Sequence, residues 1–481
     1  MNKMNLSRNK LVAEDNMMDI GIYGLGVMGS NLALNIADNG FNVSVYNRDN
    51  DRTEIFITSN AHKKINGFKD IKAFIGSLKK PRKIILMISS FAVDEVIKQI
   101  LPLVEKFDII IDGGNSHYKD TMRREQELSS YDIYFIGLGM SGGESGARSG
   151  PSLMYGGSKK VYELIEPILN KIAAKTSSGD ICSDYVGENG AGHYVKMVHN
   201  GIEYADMQLI GEAYFFMKRA FNLDNLRISE VFEKWGEGDL SSYLMEITSK
   251  ILKYKENNEY LLDKILDVAN QKGTGKWLSI EAFHLNVPAN LIFESVFARF
   301  LSGLKHERVI ASDILKMDLD LIKFDLSDWI LDLYYALLVT KILAYSQGFM
   351  MLKTASANYA WDLNLGKISL IWREGCIIKS VFLDKIKLAY DKNPHLINLL
   401  FDDYFLDIIR KHHKSLRRVV SQASKIGIPL PAFYASLSFL DSYSTNYLPA
   451  NLIQAQRDFF GSHSFERIDS KRGEFFHSTW K

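Results

Sequence analysis

An alternation that stops partway along the chain constrains the fold most. Five short apolar, β-branched runs fall in the first third: 19–24 (DIGIYG), 42–47 (NVSVYN), 83–88 (KIILMI), 108–112 (DIIID) and 133–139 (IYFIGLG). Parallel strands buried on both faces have this composition, because neither face meets water. Helical patterns lie between the runs, for example from Asp94 to Val104. Strand–helix alternation of this kind predicts a doubly wound α/β domain over residues 18–190. From about Gly192 onward, apolar residues recur at helical spacing and strand patterns almost vanish, which predicts a large all-α domain over 191–448. Only 9 prolines interrupt the chain, as long helices require. After Pro449 the sequence turns aromatic, basic and polar and reads as an extended tail over 449–481, not as a packed helix. Residues 1–17, polar and lacking periodicity, read as a disordered extension.

Composition sets outer limits. A chain of 481 residues exceeds one ordinary domain. Lys+Arg is 58 and Asp+Glu 57, so no global field favours nucleic acid or an acidic membrane, and any anion site must be local. Two cysteines, Cys182 and Cys376, build neither a disulfide framework nor a Cys-rich zinc site, so a reducing compartment, the cytoplasm, is expected. The first residues carry no apolar run of export-signal length. The apolar stretch from Trp329 to Leu352 contains Asp332 and Lys341, which predicts a buried helix or two and no membrane span.

The helical part holds a faint internal likeness. A segment ending EAYFFMK (212–218) precedes WGEG at Trp235, and one ending QGFMMLK (347–353) precedes WREG at Trp372. A tandem duplication of a multi-helix unit and a chance likeness of two amphipathic helices each account for it.

Gly24-Leu25-Gly26-Val27-Met28-Gly29 follows the first apolar run and opens a helical pattern. The first glycine permits a tight turn, the second lets a pyrophosphate approach the backbone, and the third lets helix and strand pack closely. The anion then rests on free N–H groups at a helix N-terminus. This context makes the first domain Rossmann-like. The second strand ends in Asn47-Arg48-Asp49, with Arg52 beyond. Arg48 suits a 2′-phosphate and favours NADP over NAD, while the Asp49 carboxylate pulls the other way. Asp112-Gly-Gly-Asn115-Ser116 and Met140-Ser141-Gly142-Gly143 each follow a strand run, at the end of the sheet where such folds bind ligands.

Residues 190–204 (GAGHYVKMVHNGIEY) are the most informative. On a helix, Lys196, His199, Asn200, Glu203 and Tyr204 fall within a stripe about 140° wide. Val195, Val198, Ile202, Ala205 and Leu209 take the other side. A solvated face is normally rich in Glu, Lys and Gln, so this set points to an active-site wall. Lys196 and Glu203, two turns apart, suit opposite ends of a small bound molecule. Residues 270–277 (NQKGTGKW) form a glycine-opened loop with Lys272 and Lys276, suited to an oxyanion, and Arg299 stands on an apolar helix. Lys411-His412-His413-Lys414 reads as a solvated face, and no carboxylate or histidine cluster has metal-ligand spacing.

Together GLGVMG, IIDGGNS, GAGHYVKMVHNGIEY, NQKGTGKW, ESVFARF (294–300) and NLIQAQRDFFGSHSFER (451–467) resemble the decarboxylating 6-phosphogluconate dehydrogenases in order and spacing, from about Asp19 to Trp480. Short β-hydroxyacid dehydrogenases share the first two motifs but lack the long helical part and the tail. The resemblance implies oxidative decarboxylation of 6-phosphogluconate to ribulose 5-phosphate with NADP and no metal, in the pentose phosphate pathway. It implies Lys196 as general base and then acid, and Glu203 as the acid that protonates the enediol. Asn115, Ser141, Gly142, Gly143, His199 and Asn200 would hold the sugar acid, and Tyr204, Lys272 and Arg299 its phosphate. The dinucleotide would meet Gly24 to Gly29, Asn47, Arg48, Asp49, Ile88, Ser89, Ser90 and Asn115. Arg457 and His463 match tail residues that complete the partner's site in a homodimer. The chain departs from the family at Asp49, where a small hydroxyl residue is usual, at Ser89-Ser90, where a Lys-containing pair is common, and at Tyr155, where a proline is usual. The alternatives are a related β-hydroxyacid dehydrogenase with another phosphorylated substrate, and a variant that uses NAD.

Overall fold

In the computed structural model, which describes residues 17–61, 64–316 and 326–480, each of the five apolar runs contains a strand. These are β1 (Ile20–Tyr23), β2 (Val43–Tyr46), β4 (Lys83–Leu86), β5 (Ile109–Asp112) and β6 (Tyr134–Ser141). Three further strands join them: β3 (Ile65–Phe68), β7 (Ser152–Gly156) and β8 (Ser183–Gly187). The spatial order is β3-β2-β1-β4-β5-β6-β7-β8. The first six are mutually parallel, β7 runs antiparallel to β6, and β8 runs parallel to β7. Strand order reverses between β1 and β4, and that is where a doubly wound sheet opens its ligand crevice. Separate apolar clusters cover the two faces of the sheet, one including Leu32, Ile36 and Ile165, the other Phe74, Val96 and Ile100.

Helix α1 (Val27–Asp38) follows β1. The last strand of this sheet ends at Gly187, and α2 (Ala191–Ala220) begins the helical part. It continues through α3 (Thr274–His284), α4 (Asn290–Gly303), α5 (Leu326–Tyr359), α6 (Asp403–Lys425), α7 (Pro431–Tyr443) and α8 (Ala450–Gly461), among shorter helices. The apolar stretch around Trp329 is a single helix, α5. It is long and apolar enough to cross a membrane, yet 89% of its most apolar window is buried inside the helical domain. Its interrupting lysine explains itself there: Lys341 is fully buried, 2.9 Å from the Asp206 carboxylate of α2. The two WxEG segments each follow one of these long helices, and they meet. Ser242 and Ser380 form an antiparallel bridge, flanked by Tyr243 N–H to Lys379 C=O at 3.0 Å and Val381 N–H to Ser241 C=O at 3.2 Å.

The tail differs from its sequence reading. Residues 450–461 are helical, and only residues beyond Ser462 are irregular. The apolar side chains of α8 (Leu452, Ile453, Phe459 and Phe460) stay exposed in the single chain, so no core stripe betrays the helix against its own domain. The N-terminal extension read over residues 1–17 lies, for 1–16, outside the described residues.

Removing one partner of a buried ion pair strands the other charge in a poor dielectric. Lys341→Met should therefore destabilise the helical domain by about 3–5 kcal/mol. A fall in calorimetric melting temperature would show this, and an unchanged melting temperature would show that the Asp206 carboxylate finds other partners.

Candidate active site

The glycine loop is built as its spacing requires. Gly24 has φ +106°, and a Cβ there would stand 2.5 Å from the Met87 carbonyl oxygen. A Cβ on Gly29 would stand 1.9 Å from the Gly24 carbonyl oxygen, so α1 packs directly on the turn. At Gly26, by contrast, an added Cβ meets only open space. Gly26 is also the N-cap of α1, with no side chain bonded to the first-turn N–H groups. A pyrophosphate fits this space and these donors. The Leu25 N–H donates to Asn47 Oδ1 at 3.0 Å, which ties the loop to the end of β2. Arg48 is exposed and has no ion-pair partner among the described residues, as a 2′-phosphate ligand should be. Asp49 serves the local fold as the N-cap of the helix Asn50–Ser59, where it accepts the Asp51 N–H at 3.1 Å. Beyond β4, Ser89 is exposed and Ile88 and Ser90 are half-buried.

After β5, the Asp112 carboxylate folds the next loop, accepting Gly114 N–H at 3.0 Å and Ser116 O–H at 2.6 Å. Asn115 is left exposed at its tip. After β6, Gly142 takes φ +113°, and a Cβ there would stand 2.5 Å from the Gly375 carbonyl oxygen. The WREG turn of the helical domain therefore packs against the Ser141-Gly142-Gly143 loop.

Helix α2 crosses between these loops and the helical core, and 21 of its 30 residues are buried. The polar stripe is not a solvated face: Lys196 is 7% exposed, Asn200 8%, Tyr204 6% and His199 0%. His199 is the hub. Its Nε2 lies 3.1 Å from Ser141 Oγ, and its Nδ1 lies 3.3 Å from Lys196 Nζ, 3.1 Å from Asn200 Oδ1 and 3.7 Å from Glu203. Burial pushes the Lys196 ammonium below the ordinary lysine range, with Glu203 and Cys376 opposing. Burial also holds the His199 ring well below the ordinary imidazole range, helped by Lys196. Glu203, a fifth exposed, moves the other way. Burial raises its carboxyl, against the pull of Lys196 and Arg299. A lysine drawn towards its neutral form and a carboxyl drawn towards its acid form suit a base and an acid near neutral pH.

At the far end of the stripe the Arg299 guanidinium lies 3.7 Å from the Tyr204 ring centre and donates to the Asn270 carbonyl at 3.1 Å. The 270–277 loop is thereby joined to Tyr204 and Arg299, with Lys272 exposed beside Gly273, the uncapped N-cap of α3. Arg457 and His463 are not part of this cluster. Both are exposed on the tail, where Arg457 donates to Gln454 and His463 faces Phe460.

Two contributors escaped the sequence reading. Trp372, buried, sets its ring edge-on to His199 at 5.7 Å, and the buried Cys376 thiol lies close enough to Lys196 to feel its charge. The likeness of WREG to WGEG marked this segment, but nothing in it pointed to α2.

A doubly wound sheet with an open glycine loop, joined to a helical domain that brings a buried lysine to the strand ends, defines a dinucleotide-dependent dehydrogenase. The family model for the NAD binding domain of 6-phosphogluconate dehydrogenase matches residues 19–187, and that for the 6-phosphogluconate dehydrogenase C-terminal domain matches 192–480. The NADP(+)-dependent, decarboxylating 6-phosphogluconate dehydrogenase of Bacillus subtilis is 51% identical over 465 residues, 96% of this chain and 98% of that protein. The decarboxylating enzyme of Buchnera aphidicola is 52% identical over 464 residues, again 96% and 98%. The 6-phosphogluconate dehydrogenase of Plasmodium falciparum, solved in its apo form, with NADP+ and with 6-phosphogluconate, superposes with a TM-score of 0.92 at 46% identity, covering 96% of this chain and 100% of that one. The chain belongs to the decarboxylating 6-phosphogluconate dehydrogenase family.

The glycines separate binding from folding. Gly26→Ala should leave the melting temperature unchanged but weaken dinucleotide binding about tenfold or more, because the methyl takes ligand space. Gly29→Ala should lower the melting temperature, because its methyl meets backbone. Calorimetry and fluorescence titration separate the two, and equal effects would refute the division.

Proposed function

We propose that the chain oxidatively decarboxylates 6-phospho-D-gluconate to D-ribulose 5-phosphate and CO2 with NADP. The observation that carries this reading is the buried Lys196–His199–Glu203 cluster between the dinucleotide loops and the Tyr204–Arg299 end. NADP, held by the Gly24–Gly29 loop, Asn47 and Arg48, would supply the hydride acceptor for C3 of the sugar acid. Neutral Lys196 takes the C3 hydroxyl proton. The lysine, now protonated, faces the oxygen that becomes negative as the carboxylate leaves and offsets that charge in a dry site. Glu203, in its acid form, then delivers a proton to C1. The neutral His199, with Ser141 and Asn200, holds the hydroxyl groups and keeps Lys196 in place. Asn115 and the 141–143 loop border the sugar acid. Tyr204, Lys272 and Arg299 take the phosphate, for which a stacked guanidinium and a free lysine are suited.

The tail completes the site in a homodimer. Exposed Leu452, Ile453, Phe459, Phe460, Phe475 and Trp480 need a surface. A two-fold partner supplies one, with Arg457 and His463 reaching its Lys196 cluster. The two cysteines are free and buried, in keeping with work in the cytoplasm.

Lys196→Met should abolish turnover while NADP still binds. Glu203→Gln should lower kcat about 10²–10⁴-fold. The pH profile of the parent should be bell-shaped, rising as Lys196 loses its proton and falling as Glu203 loses its own. In Glu203→Gln the alkaline limb should vanish, and its persistence would exclude Glu203 as the acid.

Sharing of sites has its own test. Subunit exchange between the inactive Lys196→Met and Arg457→Ala variants should restore activity, because each heterodimer regains one intact site. A mixture that stays dead despite demonstrated exchange would place each tail in its own subunit.

A further inference from the structure

The tail is organised around a single carboxylate. Asp458 is the one buried residue of α8, fully enclosed, while the apolar residues around it point outward. Its Oδ1 accepts the Ser464 N–H at 2.8 Å and lies 2.9 Å from His477 Nδ1. Its Oδ2 accepts the Trp480 indole N–H at 2.7 Å and the Ser478 N–H at 3.1 Å. The donors lie 6 to 22 residues further along the chain. Paired backbone bonds between Phe465 and Phe476, both 2.8 Å, close the hairpin between them. Burial opposes ionisation, but the His477 and Trp480 side chains and the two backbone N–H groups hold the carboxyl well below its ordinary range.

This hub adjoins both residues assigned to the partner's site. Arg457 immediately precedes Asp458, and His463 immediately precedes Ser464, whose N–H the carboxylate binds. His463 also sits between Ser462 at φ +50° and Ser464 at φ +56°, both in the left-handed region that favours glycine. Such a backbone persists only where its surroundings over-determine it. Here the Ser464 N–H is bound by Asp458 and its carbonyl accepts from Gln454 Nε2, so both sides of that residue are pinned.

We infer that Asp458 is a positioning residue for 6-phosphogluconate binding: it gathers the tail into a preformed unit and sets Arg457 and His463 at the geometry the partner's site requires. The inference rests on the proposed exchange of tails. Preorganisation of this kind acts on binding, because a loose tail must be ordered each time substrate arrives.

Asp458→Asn replaces an acceptor oxygen by an amide that faces donors. It should raise KM for 6-phosphogluconate about tenfold or more, as loss of charge-assisted hydrogen bonds does. KM for NADP should stay within about twofold and the dimer should persist in sedimentation. Trp480→Phe keeps a ring but removes one donor, and should move the same KM in the same direction by less. Measured as Kd for 6-phosphogluconate by calorimetric titration, the Asp458→Asn effect should disappear in the inactive Arg457→Ala/His463→Ala background, because it acts through those side chains. The idea falls if neither Asp458→Asn nor Trp480→Phe changes that KM, if both KM values rise together, or if the effect survives in the double-alanine background. If Arg457→Ala/His463→Ala itself leaves that Kd unchanged, the tail-exchange reading fails first, and this inference with it.

Discussion

The site depends on a contact with no room for a side chain. The N-terminal end of α2 lies so close to β6 and β7 that a Cβ on Gly192 would stand 2.2 Å from the Gly137 carbonyl oxygen. One on Gly156 would stand 2.1 Å from the Gly192 nitrogen, and one on Gly139 would stand 2.8 Å from Lys196 Cβ. Sheet and helix therefore meet backbone to backbone, and Lys196, one turn past Gly192, is pressed against the end of β6. His193, on the same turn, lies 2.6 Å from Thr121 Oγ1 and 3.1 Å from the Asp112 carbonyl oxygen, which ties α2 to the Asn115 loop. Close approach also excludes water, and exclusion of water moves Lys196 towards its neutral form and Glu203 towards its acid form.

Much of this was legible because the rules involved are local. The strand runs, the glycine loop and the polar stripe of α2 each follow from a period or a spacing. The stripe was informative because Lys, His, Asn and Tyr together are a poor choice for a solvated face, and all four are buried. The missed elements lack such signals. Strand β3 is INGF, with Asn66 and Gly67 exposed at the sheet edge, so it shows no apolar run. Strands β7 and β8 carry glycine and serine where they pack against α2 and the WREG turn. Helix α8 has apolar residues that stay exposed and join no core cluster of its own chain, so its periodicity is diluted by Asn, Gln and Arg. The approach of Trp372 and Cys376 to α2 depends on tertiary placement across more than 170 residues, which no local pattern encodes.

The stretches that follow the two WxEG segments bridge to each other, yet one WxEG segment reaches the sheet and the other packs within the helical domain. In both, the tryptophan is buried, and a serine further on sits at the start of a helix: Ser242 accepts the Met245 N–H, and Ser380 accepts the Phe382 N–H. The serines pair across an antiparallel bridge. Their surroundings differ. Trp235 packs against Phe232 and Tyr334 within the helical domain. Trp372 reaches the sheet: its indole N–H points to Met154 Sδ at 3.3 Å, and the Gly375 carbonyl accepts the Ser152 N–H at 2.9 Å. The segment that reaches the sheet carries added constraints: Gly375 at φ +65°, where a Cβ would stand 2.4 Å from the Gly150 carbonyl oxygen, and the Cys376 thiol near Lys196, directly after WREG as Asp239 directly follows WGEG. A carboxylate in that position would favour the ammonium form of Lys196 over the neutral one. The two segments thus differ according to which of them faces the dinucleotide-binding domain, and the one that does so sets a thiol and not a carboxylate near Lys196.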